Sequence, residues 1–144
     1  MEKEGEKLSL QTPAFIPRDM RSNTIRIYYY QDKNPKGYVF SPWTGEQYSF
    51  SGTMELLLRL EALMDERNSP RPTTELRGKW ELYRQENEGD PDGTPLASFK
   101  IDVLFRYNST WQGNLLWIEK GQEAQFRSAL ELLMLIDNVL SGVA

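Results

Sequence analysis

Two stretches of the chain alternate apolar and polar residues with a period of two, which is typical of strands with one buried face. They read TIRIYYYQ and FKIDVLFRY. One face carries the apolar positions, namely Ile25, Ile27 and Tyr29 in the first stretch and Ile101, Val103 and Phe105 in the second. Each stretch is followed by a turn segment, a second apolar strand, a tight glycine turn and a short third strand that ends at Phe50 or Phe126.

A helix is expected after each third strand. Ser128 stands three residues before Glu131, which is the spacing of a capping box, and a long apolar run follows. We predict helices over about 53–66 and 128–141, the second ending at Gly142. The second run is more apolar than one buried face requires. Either the helices pack on each other as well as on the sheet, or part of this surface is a subunit interface.

The two segments align when the chain is shifted by 76 residues, with no gap from residue 25 to residue 64. Seven of these 40 positions are identical: Ile25/Ile101, Gly37/Gly113, Gly45/Gly121, Phe50/Phe126, and Glu55-Leu56-Leu57 on Glu131-Leu132-Leu133. We therefore predict two tandem β-β-β-α repeats. The alternative is two hairpin-helix units that became similar by convergence. All four glycines are expected in turns, where a positive φ is wanted.

These elements predict an α+β fold, in which an antiparallel sheet of about six strands has two helices packed on one face. An extended N-terminal segment (1–21) precedes the first repeat (22–66). A linker with a possible extra strand and a mobile acidic loop (67–97) leads to the second repeat (98–144). We expect the two repeats to form one domain.

The composition narrows the chemistry. The 144 residues include no His and no Cys, which removes the commonest general base, the thiolate nucleophile and nearly every zinc site. No glycine-rich phosphate loop, nucleophile elbow or paired-carboxylate motif is found. We therefore expect a protein that is not an enzyme, with no cofactor and no metal. The less favoured alternative is a small enzyme that uses carboxylates.

Targeting signals are also lacking in the sequence. No apolar run reaches the roughly 18 residues that suggest a membrane span. The N-terminus carries charges of both signs and no apolar core of a signal peptide. With no cysteine for disulfides, the expected location is the cytoplasm, away from membranes.

The sheet face opposite the helices is expected to be rich in aromatic residues. Together with the tryptophans of the second repeat it predicts an interaction surface made of Arg26, Tyr28, Tyr30, Leu104, Arg106, Trp111, Gln112 and Trp117. Three interpretations compete. This face or the apolar helix flank forms a homodimer or partner-protein interface. Alternatively, its aromatics with Lys33 and Lys36 stack single-stranded nucleic acid. In the third, the N-terminal segment and the linker cover the face as core. The first is favoured, because the net charge of −4 argues mildly against nucleic acid.

Trp111 and Trp117 distinguish the second repeat from the first. They stand where the first repeat has Pro35 and Ser41, so the fold that the two repeats share does not require a tryptophan at either position. They are expected to pack over the hairpin or to contact a ligand or partner.

Two resemblances bear on this interpretation. The segment Phe105–Asp137, with its WQG turn, second tryptophan and FRSALEL helix start, resembles a segment that recurs in small uncharacterised bacterial proteins. It carries over no catalytic or ligand role. In architecture alone, tandem sheet-and-helix repeats resemble the PUR and Whirly-type proteins. That likeness implies single-strand binding on a basic, aromatic sheet face. This chain departs from them in being acidic and in having three strands per repeat where many members have four.

Overall fold

The computed structural model describes residues 17–67, 93–107 and 110–143. In chain order the elements are α1 (Arg18–Arg21), β1 (Asn23–Gln31), β2 (Asn34–Ser41), β3 (Glu46–Ser51), α2 (Thr53–Arg67), β4 (Ala97–Tyr107), β5 (Thr110–Trp117), β6 (Gln122–Phe126) and α3 (Ala129–Val143). The strands form one antiparallel sheet in the order β3-β2-β1-β4-β5-β6. The predicted α+β fold with about six antiparallel strands is thus confirmed.

The core lies between one face of this sheet and the helices α2 and α3. At the centre of the sheet β1 pairs with β4, and Ile25 lies opposite Phe99, so both halves present apolar side chains to the same layer. The helices fill that layer with buried residues spaced by three or four, namely Leu56, Leu60, Leu63 and Met64 from α2 and Leu132, Ile136 and Leu140 from α3. Burying one such side chain contributes about 1.5–3 kcal/mol. Both helices therefore cover the same face of the sheet.

A β-bulge interrupts the hairpin of each central strand. The register shifts between Ile27 and Tyr29 where β1 pairs with β2, and between Val103 and Phe105 where β4 pairs with β5. A bulge inserts one extra residue in a strand, so the alternation of side chains changes phase beyond it.

The bulges reverse the predicted orientation of the strand ends. The period-two pattern predicts Tyr29 and Phe105 on the helix face, but they are 40% and 57% exposed on the opposite face. Tyr30 and Arg106, predicted on the open side, turn toward the helices instead, and Arg106 is only 2% exposed. We call the sheet face away from α2 and α3 the open face. Its residues beyond the bulges are therefore not the ones that the sequence predicts.

Two glycines, Gly37 and Gly113, lie in strands beside the bulges. The sequence predicts them in turns, and that prediction is wrong for these two. A Cβ on Gly37 would come within 2.0 Å of the carbonyl oxygen of Arg26, and one on Gly113 within 2.0 Å of that of Asp102. Only a residue without a side chain allows the neighbouring strand to approach this closely.

The turn between β1 and β2 is shorter than the sequence pattern indicates. Asp32 and Lys33 alone join β1 to β2, with φ values of 55° and 60°. Two-residue loops with positive φ match the twist of the strands that they connect. Gly45 and Gly121 have φ values of 76° and 63° in the following turns, which confirms the prediction for these two.

Both long helices begin within one residue of the predicted position. Ser128 Oγ accepts a hydrogen bond from the backbone N–H of Glu131 (3.1 Å), as the capping box requires. Glu131 Oε1 accepts from the N–H of Arg127 (2.9 Å), one residue earlier than a standard box. The predicted end of the second helix at Gly142 is wrong, because α3 continues through this glycine to Val143.

The N-terminal part of the described chain is a helical turn, α1, where the sequence predicts an extended segment. The possible extra strand and most of the acidic loop fall on residues 68–92, which lie outside the described residues together with 1–16. None of the helices in the described ranges is long and apolar enough to span a membrane.

Gly37→Ala is expected to lower the free energy of unfolding by about 1–3 kcal/mol, because the added Cβ would force β1 and β2 apart. The control is Gly142→Ala, which meets nothing within 4 Å and gains up to about 1 kcal/mol of helix propensity. Urea denaturation measures both. A Gly37→Ala chain as stable as the wild type would contradict the bulge geometry.

Candidate functional site

The end of β4 reaches across to helix α2, which belongs to the other half of the chain. Arg106 Nη1 lies 3.1 Å from Glu61 Oε2 and 2.8 Å from Asp65 Oδ1, and its side chain is 1% exposed. Trp111, its neighbour on β5, is 6% exposed and donates from Nε1 to Glu61 Oε1 at 3.2 Å. A buried guanidinium requires such partners, because an unpaired buried charge is costly.

The end of β1 makes the corresponding contact with helix α3. Tyr30 donates its phenolic hydrogen to Asp137 Oδ1 at 2.5 Å. The same oxygen accepts from Lys33 Nζ (2.9 Å) and from Ser141 Oγ (3.2 Å). Each central strand therefore ends on the helix of the opposite half.

The ionisation of this second contact follows from its geometry. Burial, and then the hydrogen bond to the Asp137 carboxylate, raise the pKa of Tyr30 from its ordinary value of 10.0 to about 12. The hydrogen bonds from Tyr30 and then Lys33 lower the pKa of Asp137 below its ordinary value. At neutral pH the pair is thus a neutral phenol donating to an ionised carboxylate.

A small cavity opens beside Asp137. It measures about 220 Å³ and lies between the first turn of α2 and the middle of α3, and we call it the Asp137 pocket. Its walls are largely apolar, with charged groups at one end: Tyr30, Lys33, Pro35, Thr53, Leu56, Leu133, Met134, Ile136 and Asp137. Because Thr53 and Met134 line one cavity, the start of α2 runs beside the middle of α3.

A larger cavity of about 480 Å³ lies between the end of α3 and strands β5 and β6. Its apolar walls include Phe99, Leu115 and Val139, and Trp117 also lines it. The indole nitrogen of Trp117 is buried without a hydrogen-bond partner in the described part of the chain. Glu123 is the charged residue that lines this cavity among the described residues.

Four apolar side chains on the outer surface of the helices are exposed. Met54 is 68% and Leu58 39% exposed on α2, while Leu130 is 65% and Met134 59% exposed on α3. On each helix the two residues are four apart and so lie on one face. We call these four residues the helix-layer patch.

The open face carries aromatic residues of the first half and apolar residues of the second. The rings of Tyr28 and Tyr38 meet edge to face with centroids 6.1 Å apart. Lys36 Nζ lies 4.8 Å from the centre of the Tyr29 ring, within the range of a cation–π contact. Phe105 is the most exposed apolar residue of this face.

An acidic residue lies in the middle of the open face. Asp102 is 2% exposed and takes two hydrogen bonds from Arg21 of α1, at 2.7 and 3.1 Å. Arg18 Nε lies 3.4 Å from the same carboxylate, and Arg18 Nη2 binds Glu123 at 2.7 Å. These two arginines are therefore engaged by carboxylates of the protein.

The eight residues of the predicted interaction surface fall on two sides of the sheet. Arg26, Tyr28, Leu104 and Gln112 belong to the open face, whereas Tyr30, Arg106, Trp111 and Trp117 face the helices. The predicted set is thus not one surface. The sequence signal that pointed to the helix-layer patch was the excess of apolar residues on the second helix, Met134 among them.

Comparisons of the chain with protein-family models, with curated proteins and with solved structures gave no match. Within residues 17–67, 93–107 and 110–143 no group of three or more carboxylates forms a candidate metal site.

Arg106→Met is expected to lower the free energy of unfolding by about 3–5 kcal/mol, because it strips the partner from two carboxylates beside a buried indole. Lys33→Met is the matched control at the other contact. Lys33 is 70% exposed, so its loss is expected to cost less than about 1 kcal/mol. Chemical denaturation measures both variants. Similar losses in the free energy of unfolding would show that Arg106 does not stabilise the contact between β4 and α2 more than Lys33 stabilises that between β1 and α3.

The contact between Tyr30 and Asp137 predicts a dependence of stability on alkaline pH. The pKa of Tyr30 is about 12 in the folded state and near 10.0 when unfolded, so the neutral phenol stabilises the fold fully below pH 10. That stabilisation is lost as the pH rises from 10 toward 12. Urea denaturation should show the stability gap between wild type and Tyr30→Phe shrinking over this range. Tyr29→Phe serves as the control, and a constant gap for Tyr30→Phe would refute the contact.

Proposed function

We propose that this chain is a non-enzymatic protein-interaction module, and that it binds protein partners, a second copy included, through the helix-layer patch. The observation that carries the proposal is the exposure of Met54, Leu58, Leu130 and Met134 on one layer. Single exposed apolar residues are ordinary, but several on one surface of a small domain mark an interaction site. Methionine side chains adapt to varied partners, which suits them to such a surface.

We further propose that the two halves are tandem repeats related by an offset of 76 residues. Support comes from the element bounds, since β2 and β5, β3 and β6, and α2 and α3 all begin 76 residues apart. The bulges, the close-approach glycines Gly37 and Gly113, and the helix-start hydrogen bonds from Ser51 N to Glu55 and from Arg127 N to Glu131 keep the same offset. Within this relation the helix-layer patch consists of two matching pairs, Met54 with Leu130 and Leu58 with Met134.

The alternative function is binding of single-stranded nucleic acid on the open face. The exposed rings of Tyr29 and Phe105 and the nearby Lys36 favour it, because bases stack on aromatic rings while cations contact phosphates. Against it stand the net charge of −4 and the engagement of Arg18 and Arg21 by carboxylates on the same face. The protein interface therefore ranks first.

Two double variants with the same charge change separate these functions. Met54→Glu/Met134→Glu alters the helix layer, and Tyr29→Glu/Phe105→Glu alters the open face. All four positions are exposed, so both chains are expected to keep their circular dichroism and melting temperature within a few degrees.

The readouts are molar mass by light scattering, binding of single-stranded oligonucleotides, and photo-crosslinking from position 130 in cells that make the protein. We expect crosslinks to protein, or to a second copy, that disappear in Met54→Glu/Met134→Glu and persist in Tyr29→Glu/Phe105→Glu. Oligonucleotide binding lost only in Tyr29→Glu/Phe105→Glu, with no helix-layer crosslink, would transfer the function to the open face.

A further inference from the structure

The contact of Arg106 with Glu61 and that of Tyr30 with Asp137 differ in how the space beside the carboxylate is filled. Next to Glu61 the space holds the indole of Trp111, which is buried and donates to that carboxylate. Next to Asp137 the residue that pairs with the strand end is Pro35, and the Asp137 pocket lies open beside it. With the offset of 76, Pro35 corresponds to Trp111 and Asp137 to Glu61.

The walls of the pocket correspond in the same way. Leu133, Met134 and Ile136 line it, and their counterparts on α2 are Leu57, Leu58 and Leu60. Apolar residues and a carboxylate therefore occupy matching helix positions at both ends, but among the described residues an indole lies only beside Glu61.

The carboxylate of Asp137 retains the capacity to accept a further hydrogen bond. Its three hydrogen bonds, from Tyr30, Lys33 and Ser141, all end on Oδ1. Oδ2 accepts none among the described residues, and an ionised carboxylate has about four acceptor sites. Because Asp137 lines the pocket, a donor N–H that enters it lies beside a carboxylate with remaining acceptor capacity.

The size of the pocket limits what can occupy it. About 220 Å³ is smaller than the roughly 300–1,000 Å³ of typical small-molecule sites. It suits one large side chain. Met134 at the rim and Lys33 at the charged end offer sulfur–aromatic and cation–π contacts to an aromatic ring.

We infer that the Asp137 pocket receives the indole ring of a tryptophan carried by a partner protein, with the indole N–H donating to Asp137. The partner would thus supply in trans the contact that Trp111 makes with Glu61 within the chain. The inference rests on the proposed protein-binding function and specifies its anchor. The exposed Met134 belongs to both the pocket and the helix-layer patch, so a partner docked on the patch lies above the pocket.

The test uses the full chain labelled with ¹⁵N and the probe N-acetyl-L-tryptophanamide. Two matched probes are the 1-methyl-indole analogue, which lacks the donor hydrogen, and N-acetyl-L-phenylalaninamide. We expect chemical-shift changes centred on Tyr30, Met134 and Asp137. We expect the 1-methyl analogue to bind about tenfold more weakly, since hydrogen bonds to charged groups are among the stronger ones. Equal binding of the two indoles, or shifts located elsewhere, would overturn the inference.

Pro35→Trp provides the variant test, because it places a tryptophan where the second half has Trp111. We expect this chain to fold, to melt at a temperature no lower than the wild type and to lose probe binding. Probe binding that persists in folded Pro35→Trp would overturn the inference. If this variant does not fold, the comparison of the two indole probes on the wild type decides the question alone.

Other occupants give different results. Trp80 lies outside the described residues. Probe binding that appears only in Trp80→Phe would assign the pocket to this tryptophan of the same chain and would overturn the inferred partner. A second result is that the probe fails to bind while Met54→Glu/Met134→Glu still abolishes the crosslinks to protein. That result would reject the Asp137 pocket as an indole site and leave the proposed protein-binding function standing. Probe binding without any helix-layer crosslink would reject the partner protein and with it the proposed function.

Discussion

The one-residue bulge in each central strand is the constraint on which the rest of the structure depends. It places Tyr29 and Phe105 on the open face and the residues after them on the helix face, and Gly37 and Gly113 allow the close approach that it needs. Tyr30 and Arg106 consequently end on the helix of the opposite half. The bulges thus tie each helix to both halves of the sheet, although each helix packs mainly on its own half.

The same geometry divides the surface into areas of different character. Beyond the bulges the open face receives Tyr29 and Phe105, while the helix face receives polar groups that must be paired. Trp111 fills the space beside Glu61 and donates to that carboxylate, whereas a cavity remains where Pro35 stands beside Asp137. Trp111 therefore occupies a packed core position at one end, whereas at the end that carries Pro35 a pocket lies at the edge of an exposed apolar patch.

The sequence alone predicted the strands, the helix starts and the six-stranded sheet, because hydrophobic period and capping residues are local signals. It did not predict the bulges. In TIRIYYYQ three tyrosines follow one another, so the pattern does not register a one-residue slip. The period-two alternation places Arg106 on the open face, whereas its burial follows from the bulge and from Glu61 and Asp65, which are distant in sequence.

A [methyl-¹³C]methionine spectrum tests the helix layer as the binding surface most directly. Among the five methionines, Met54 and Met134 report on the helix-layer patch, Met20 on α1 beside the open face and Met64 on the core. With increasing protein concentration, or in extract from cells that make the protein, we expect the signals of Met54 and Met134 to broaden or shift while those of Met20 and Met64 stay unchanged. A response of Met20 alone, reproduced by adding single-stranded oligonucleotide, would contradict it.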